Sequence, residues 1–135
     1  MNEKQMKRIL ETARTVATVG LSSNPMKTSH DVAKYLRGQG YRIIPVNPTV
    51  GEVFGEKAYP DLLSVPDKVD VVQVFRPSED APAIVDQAIR IGAKVVWMQE
   101  GIRNDAAAQA ARAAGLDVVM DTCMRAAHRH LIGEK

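Results

Sequence analysis

The sequence predicts an α/β fold: one Rossmann-like, doubly wound domain over residues 1–135, built on a five-stranded parallel sheet with helices on both faces. Three observations carry this. Five apolar runs, at 15–20, 41–46, 69–75, 94–98 and 116–120, have the length of strands. Helical spacing returns in most of the gaps between them, which is the pattern of βαβ units. No internal repeat, low-complexity tract or long linker interrupts the alternation. Right-handed crossovers place helices on both faces, and the expected strand order is 3-2-1-4-5.

Met6, Ile9, Leu10 and Ala13 recur at helical spacing over residues 3–13. The first strand, 15–20, leads into the polar loop Leu21-Ser22-Ser23-Asn24-Pro25. Val32, Ala33 and Leu36 mark a helix over 28–38; Thr28-Ser29-His30-Asp31 reads as its capping box, with Gly38 and Gly40 as its stop. Tyr41 to Val46 is the second strand. Pro45 lacks a ladder donor, so regular pairing is expected to end there. Residues 47–68 are rich in Pro, Gly and Asp, with room for one short helix near Leu62-Leu63. The run from Val69 to Phe75 is almost continuously apolar and reads as a strand buried on both faces. Ser78 to Ile91 is a helix with Ser78 as N-cap, Glu79 and Asp80 in its first turn and Gly92 as its stop. Lys94 to Met98 is the fourth strand. Asn104 to Ala114 is an Ala-dense helix closed by Gly115, and Leu116 to Met120 is the fifth strand. Asp121 or Thr122 caps a last helix through Leu131.

The net charge of +2, without a dense Lys/Arg run, gives no basis for nucleic-acid binding. Six aromatic residues, Trp97, Phe54, Phe75, Tyr35, Tyr41 and Tyr59, are too few for a base-stacking platform. The single cysteine, Cys123, rules out an internal disulfide framework and fits a reducing compartment. Met1-Asn2-Glu3-Lys4-Gln5 has no apolar core of a secretory signal, and no apolar run reaches membrane-spanning length. The expectation is a soluble cytoplasmic protein with a small-molecule ligand, no membrane contact and no nucleic-acid partner.

In a doubly wound sheet, ligands bind outside the carboxyl ends of the strands, near the reversal of strand order. Gly20 permits a tight turn out of the first strand. Ser22, Ser23 and Asn24 offer donors, and Lys27 a positive charge, beside a helix start suited to phosphate. The same loop also reads as a plain βα connection. A nicotinamide dinucleotide site would need glycines at 22 and 25 and a carboxylate ending strand two; the chain has Ser22, Pro25 and Asn47-Pro48 there. Arg76 suits phosphate contact or base stacking, or is a solvated loop arginine. Phe75 is a pocket wall or the last core residue of its strand. Gln99-Glu100-Gly101-Ile102 carries a glycine for close backbone approach. Glu100 has no partnered nucleophile, and neither G-x-S-x-G nor a P-loop occurs. No catalytic constellation is visible. Cys123, His128 and His130 fall close in sequence, but 128 and 130 diverge on a helix and cannot share one metal ion. Cys123 at a helix start favours an acidic thiol; a small buried hydrophobe is the other reading.

Val19-Gly20-Leu21-Ser22, Ile44-Pro45-Val46-Asn47-Pro48, Val74-Phe75-Arg76-Pro77, Val96 to Asn104 and Val119-Met120-Asp121-Thr122-Cys123 occur in this order along nearly the whole chain. This ordered set resembles the small stand-alone coenzyme A-binding proteins and, more remotely, the N-terminal domain of the succinyl-CoA synthetase α subunit. The resemblance implies coenzyme A or an acyl-CoA held across the strand ends. It places Gly20, Leu21, Ser22, Ser23 and Asn24 in the site, with Lys27 and Ser29 beside them. Asn47 and Pro48 match the second-strand segment, Phe75 and Arg76 the adenine end, and Gln99, Gly101 and Ile102 the fourth-strand loop. Pyrophosphate and 3′-phosphate suit helix N-termini and Lys or Arg, and need no ribose carboxylate. In the family that the chain resembles, the segment after the cysteine usually carries an acidic residue before the histidine; here that segment is Met124-Arg125-Ala126-Ala127-His128. The synthetase's phosphorylated histidine lies in a second domain with no counterpart in these residues, so its ligase activity does not transfer. Two other readings stand beside this one: an NAD(H)-binding enzyme or redox sensor on the same fold, and a regulatory or docking partner of a larger acyl-CoA enzyme.

Overall fold

The computed structural model describes residues 1–135. Asn2 starts helix α1 (Glu3–Thr12) by accepting the Gln5 N–H while the Gln5 side chain accepts its own, a reciprocal capping box. Strand β1 (Thr15–Val19), helix α2 (Thr28–Gly38) and strand β2 (Arg42–Val46) follow. A small antiparallel hairpin comes next, β3 (Glu52–Val53) and β4 (Glu56–Lys57), within residues 47–68, where the sequence shows no strand pattern. Its two linking residues, Phe54 and Gly55, both have positive φ (57° and 77°), as a tight two-residue hairpin loop demands. Arg42 anchors it by pairing with Glu56 at 3.1 Å and with Asp67. The expected short helix near Leu62-Leu63 is a 3-10 turn, Leu62–Ser64, capped by Asp61. Strand β5 (Val71–Val74), a 3-10 turn at Ser78–Asp80, helix α3 (Ala81–Arg90), strand β6 (Val95–Met98), helix α4 (Asp105–Ala113), strand β7 (Asp117–Val119) and helix α5 (Met124–Leu131) complete the chain.

The main sheet is parallel throughout, in the order β2-β1-β5-β6-β7. Successive residues face opposite sides and both sides are covered, so the strands read as continuous apolar runs. Val16, Ile43, Val71, Val95 and Trp97 pack beneath α1, α2 and α5. Ala17, Ile44, Val72, Val74, Val96 and Met98 pack beneath α3, α4 and the Leu62 turn. Within this fold the strand order needs one correction. The run ending at Val74 was expected beside the second strand, but it pairs with β1 in the centre of the sheet. Complete burial of Val71, Val72 and Val74 requires that place; an edge position would expose them. The outer position beyond β2 is held by Tyr59, which makes a single parallel bridge to Val46. Counted as the third strand, Tyr59 restores the doubly wound order.

Pro45 does not end β2. Its carbonyl accepts the Tyr59 N–H on the outer side, whereas Val46 accepts the Gly20 N–H on the inner side. The missing donor of Pro45 would therefore have faced away from β1, and the ladder continues to Val46. Three expected caps also differ. Lys27 occupies the N-cap of α2 without a side-chain bond, Ser78 caps no helix, and Cys123 rather than Asp121 or Thr122 precedes α5. Ser29, Ser78 and Asp121 instead hold neighbouring loops, accepting the N–H groups of Ser22, Arg103 and Gly101.

Candidate functional site

The reversal of strand order falls between β1 and β5, and their carboxyl ends open into a groove of about 580 Å³. Gly20, Asn47, Pro48 and Arg76 line it, together with Val19, Val46, Thr49, Pro60, Asp61, Leu62, Glu79, Asp80, Ala83, Ile84 and Gln87. Four of the residues expected from sequence thus meet in one cleft. The third wall, contributed by α3 and the Pro60–Leu62 turn, was missed. Its only sequence signal is that Ala83, Ile84 and Gln87 share a helical face.

Gly20 has φ +91°, and a Cβ built on it would lie 2.7 Å from the Phe75 carbonyl oxygen. The close approach here is between two strands of the protein itself. Beyond Gly20, Leu21 is fully buried, and its carbonyl accepts the Asn47 side-chain N–H at 3.0 Å. Asn47 accepts from both the backbone and the hydroxyl of Thr49, so its carboxamide oxygen is also engaged. The Ser22 N–H donates to Ser29, and the Ser22 hydroxyl accepts the Asn24 N–H. His30 Nδ1 lies 2.8 Å from the Ser22 carbonyl. A carbonyl only accepts, so that nitrogen carries the proton. The first-turn side chains of α2 therefore hold the preceding loop instead of capping their own helix. The N–H groups of Thr28, Ser29 and His30 are left without protein partners, beside exposed Ser23, Asn24 and Lys27. Such an array favours an anion.

Arg76 is half-exposed at the groove mouth and pairs with Asp80 at 3.0 Å. Phe75 is half-buried and packs toward the α1/α2/α5 side. Gln99, Gly101 and Ile102 lie beyond β5 and do not line the groove. The buried Gln99 side chain ends a polar chain across the sheet. Thr18 donates to Gln73 at 2.8 Å, Gln73 donates to Gln99 at 3.1 Å, and the Met124 N–H donates to the same Gln99 oxygen at 3.0 Å. That one backbone donor fixes the direction of every bond in the chain. Gly101 donates its N–H to Asp121 at 2.6 Å, and Asp121, with φ 51°, donates back to the Ile102 carbonyl. The two loops are thereby joined.

The remaining candidates separate. Cys123 is half-buried, and His130 is exposed and 3.1 Å from Glu3. His128 is buried, shares a 2.8 Å hydrogen bond with Tyr35, and meets Tyr35 and Tyr41 edge-on. Burial, reinforced by Lys135, holds the His128 pKa below its ordinary value. Burial pushes the Tyr41 hydroxyl up to about 12.

The chain is 40% identical over 127 residues to uncharacterized protein YneT of Bacillus subtilis, covering 94% of each. A hypothetical protein from Pyrococcus horikoshii OT3 superposes with a TM-score of 0.95 at 40% identity, over 98% of this chain and 94% of that one. An ADP-forming acetate–CoA ligase of Methanocaldococcus jannaschii is 30% identical over 81 residues, 60% of this chain but 12% of the ligase. The model of the CoA binding domain family matches residues 14–129, the whole sheet included, and the chain belongs to that family.

Proposed function

We propose that the chain binds coenzyme A or an acyl-CoA across the carboxyl ends of β1, β2, β5 and β6, without catalysis of its own. The observation that carries this reading is the groove at the order reversal, lined by Gly20, from which the loop leads to the unpartnered N–H groups that open α2. The adenosine end lies in the groove against Asn47, Pro48 and Arg76, whereas Phe75 packs on the opposite side of the sheet. The phosphates lie at Gly20 to Asn24, with Lys27 and Ser29 beside them. The pantetheine arm crosses β5 toward Gln99, Gly101 and Ile102. The side chains nearest the ligand are amides, hydroxyls, the Arg76–Asp80 pair and the unpaired Lys27, with no nucleophile set against a base.

Calorimetric titration with coenzyme A, dephospho-CoA and NAD in parallel tests the proposal. Micromolar binding of coenzyme A is expected, weakened severalfold by Lys27→Ala, because Lys27 is exposed and forms no ion pair that the fold would miss. No heat and no rise in Tm at saturating coenzyme A, or a clear preference for NAD, overturns it.

A further inference from the structure

The geometry points to Gln87 as the residue that reads the purine base of the bound nucleotide, through its side-chain N–H2. The inference rests on the nucleotide-binding reading above and adds a residue on α3 outside the loops assigned there. The Gln87 oxygen accepts the Leu62 N–H at 3.0 Å, tying α3 to the turn on the other side of the groove. The opposite amide orientation would set nitrogen against N–H and lose that bond, so the backbone fixes which end of the carboxamide faces away. The nitrogen bonds no other protein group, while every fully buried side-chain nitrogen and oxygen has a partner. It is therefore open to solvent, on a side chain that lines the groove.

Val19, Val46, Leu62, Ala83 and Ile84 give the groove an apolar wall suited to one face of a flat heteroaromatic ring. The other carboxamide there, Asn47, has its oxygen taken by Thr49 and one N–H given to Leu21. A ligand seated against Gln87 must present an acceptor. The ring nitrogens of adenine do so, and Glu79, exposed on the same groove and unpaired, is placed to accept from an exocyclic amino group. A purely aliphatic group, which has no acceptor, would leave the Gln87 donor unmet.

Gln87→Glu tests this. A carboxylate still accepts from Leu62 and replaces the donor with an acceptor at the same place. Titrations use coenzyme A, adenosine 3′,5′-bisphosphate and phosphopantetheine, which lacks the base. The first two are expected to weaken by about tenfold or more, with phosphopantetheine unchanged. Equal weakening of all three, or unaltered coenzyme A binding, overturns the inference while leaving the proposed function standing. Wild-type protein that binds neither coenzyme A nor the bisphosphate overturns both. Independently of any variant's folding, the side-chain amide signals of Gln87 in 15N-labelled wild-type protein are expected to move on adding the bisphosphate. Stationary signals at saturation refute the contact.

Discussion

Gly20→Ala is expected to destabilise the protein before any ligand is added. Two costs combine at this position. The backbone sits at φ +91°, where an L side chain adds about 1–2 kcal/mol. The new Cβ also meets the Phe75 carbonyl oxygen at 2.7 Å and the Arg76 Cδ at 3.2 Å. Arg76 can swing away, but the carbonyl belongs to the neighbouring strand's end and must shift, adding about 1–2 kcal/mol. For 135 residues the entropy of unfolding is about 0.28 kcal/mol/K, so a total near 3 kcal/mol lowers Tm by about 10 °C. Gly101→Ala is the internal control. Its φ is +83°, but nothing lies within 4 Å of the added carbon. Only the conformational cost applies, about 1 kcal/mol or roughly 4 °C. Differential scanning calorimetry of ligand-free protein reads both. Equal Tm losses for the two variants would refute the strand-contact account and return Gly20 to a role in ligand approach alone.

Three further outcomes follow from the packing. Burial holds the folded His128 pKa below the unfolded value of about 6.5, so on acidification the unfolded chain takes up the proton first. Its contribution is intact above that pH and is lost as pH falls toward the folded pKa; Tm should drop between pH 7 and 5, and His128→Gln should flatten the slope, whereas an unchanged slope rejects the assignment. At Asp70, burial alone would raise the pKa, but the N–H groups of Thr15 and Arg14, with Lys94, outweigh it and the net shift is downward. Asp70→Ala should cost about 1–3 kcal/mol at pH 7 by urea denaturation. The gap from wild type holds above pH about 3.9 and narrows as pH falls through the lower folded value; a gap that persists in acid contradicts this. Gln73→Leu strands the Thr18 hydroxyl and should cost about 2–3 kcal/mol, and adding Thr18→Val should cost about 1 kcal/mol less than the sum of the single changes; strict additivity would show that the buried chain is not coupled.

The strands and helices were legible because their signals are local and physical. Both-face burial makes β5 and β6 continuous apolar runs, and the run of alanines closed by Gly115 marks α4, which Asn104 caps. Among the strand neighbours, what failed was the place of the third strand alone; the β1–β2 and β6–β7 neighbours are as expected. Whether the run ending at Val74 lies beside β2 or β1 depends on which crossover it takes, and residues 47–68 gave no period from which to infer that. The hairpin at Glu52 to Lys57 was hidden for a related reason. Two-residue strands carry no alternation, and a phenylalanine at φ 57° is a turn residue that no propensity favours. Caps failed where polar side chains had a better distant partner: Ser78 accepts the Arg103 N–H, and Asp121 accepts that of Gly101.

The site divides along the same line. Its location followed from the order reversal, but the tasks of its residues depend on contacts between segments, from Ser22 to Ser29 within one loop to Gly20 against Phe75 across two strands. Gly20, Leu21, Ser29 and Gln99 were expected to face a ligand, and their side chains or Cβ positions face the protein, fixing loops whose backbone is left open. A site assembled in this way presents few side chains whose removal would abolish binding without disturbing the fold. The substitutions that separate ligand from fold are those at Lys27, which bonds nothing, and Gln87, whose nitrogen bonds nothing while its oxygen keeps the groove wall in place. Loss of affinity at both positions with Tm unchanged would assign binding to the groove and the α2 start together. Loss at only one would divide the ligand between them.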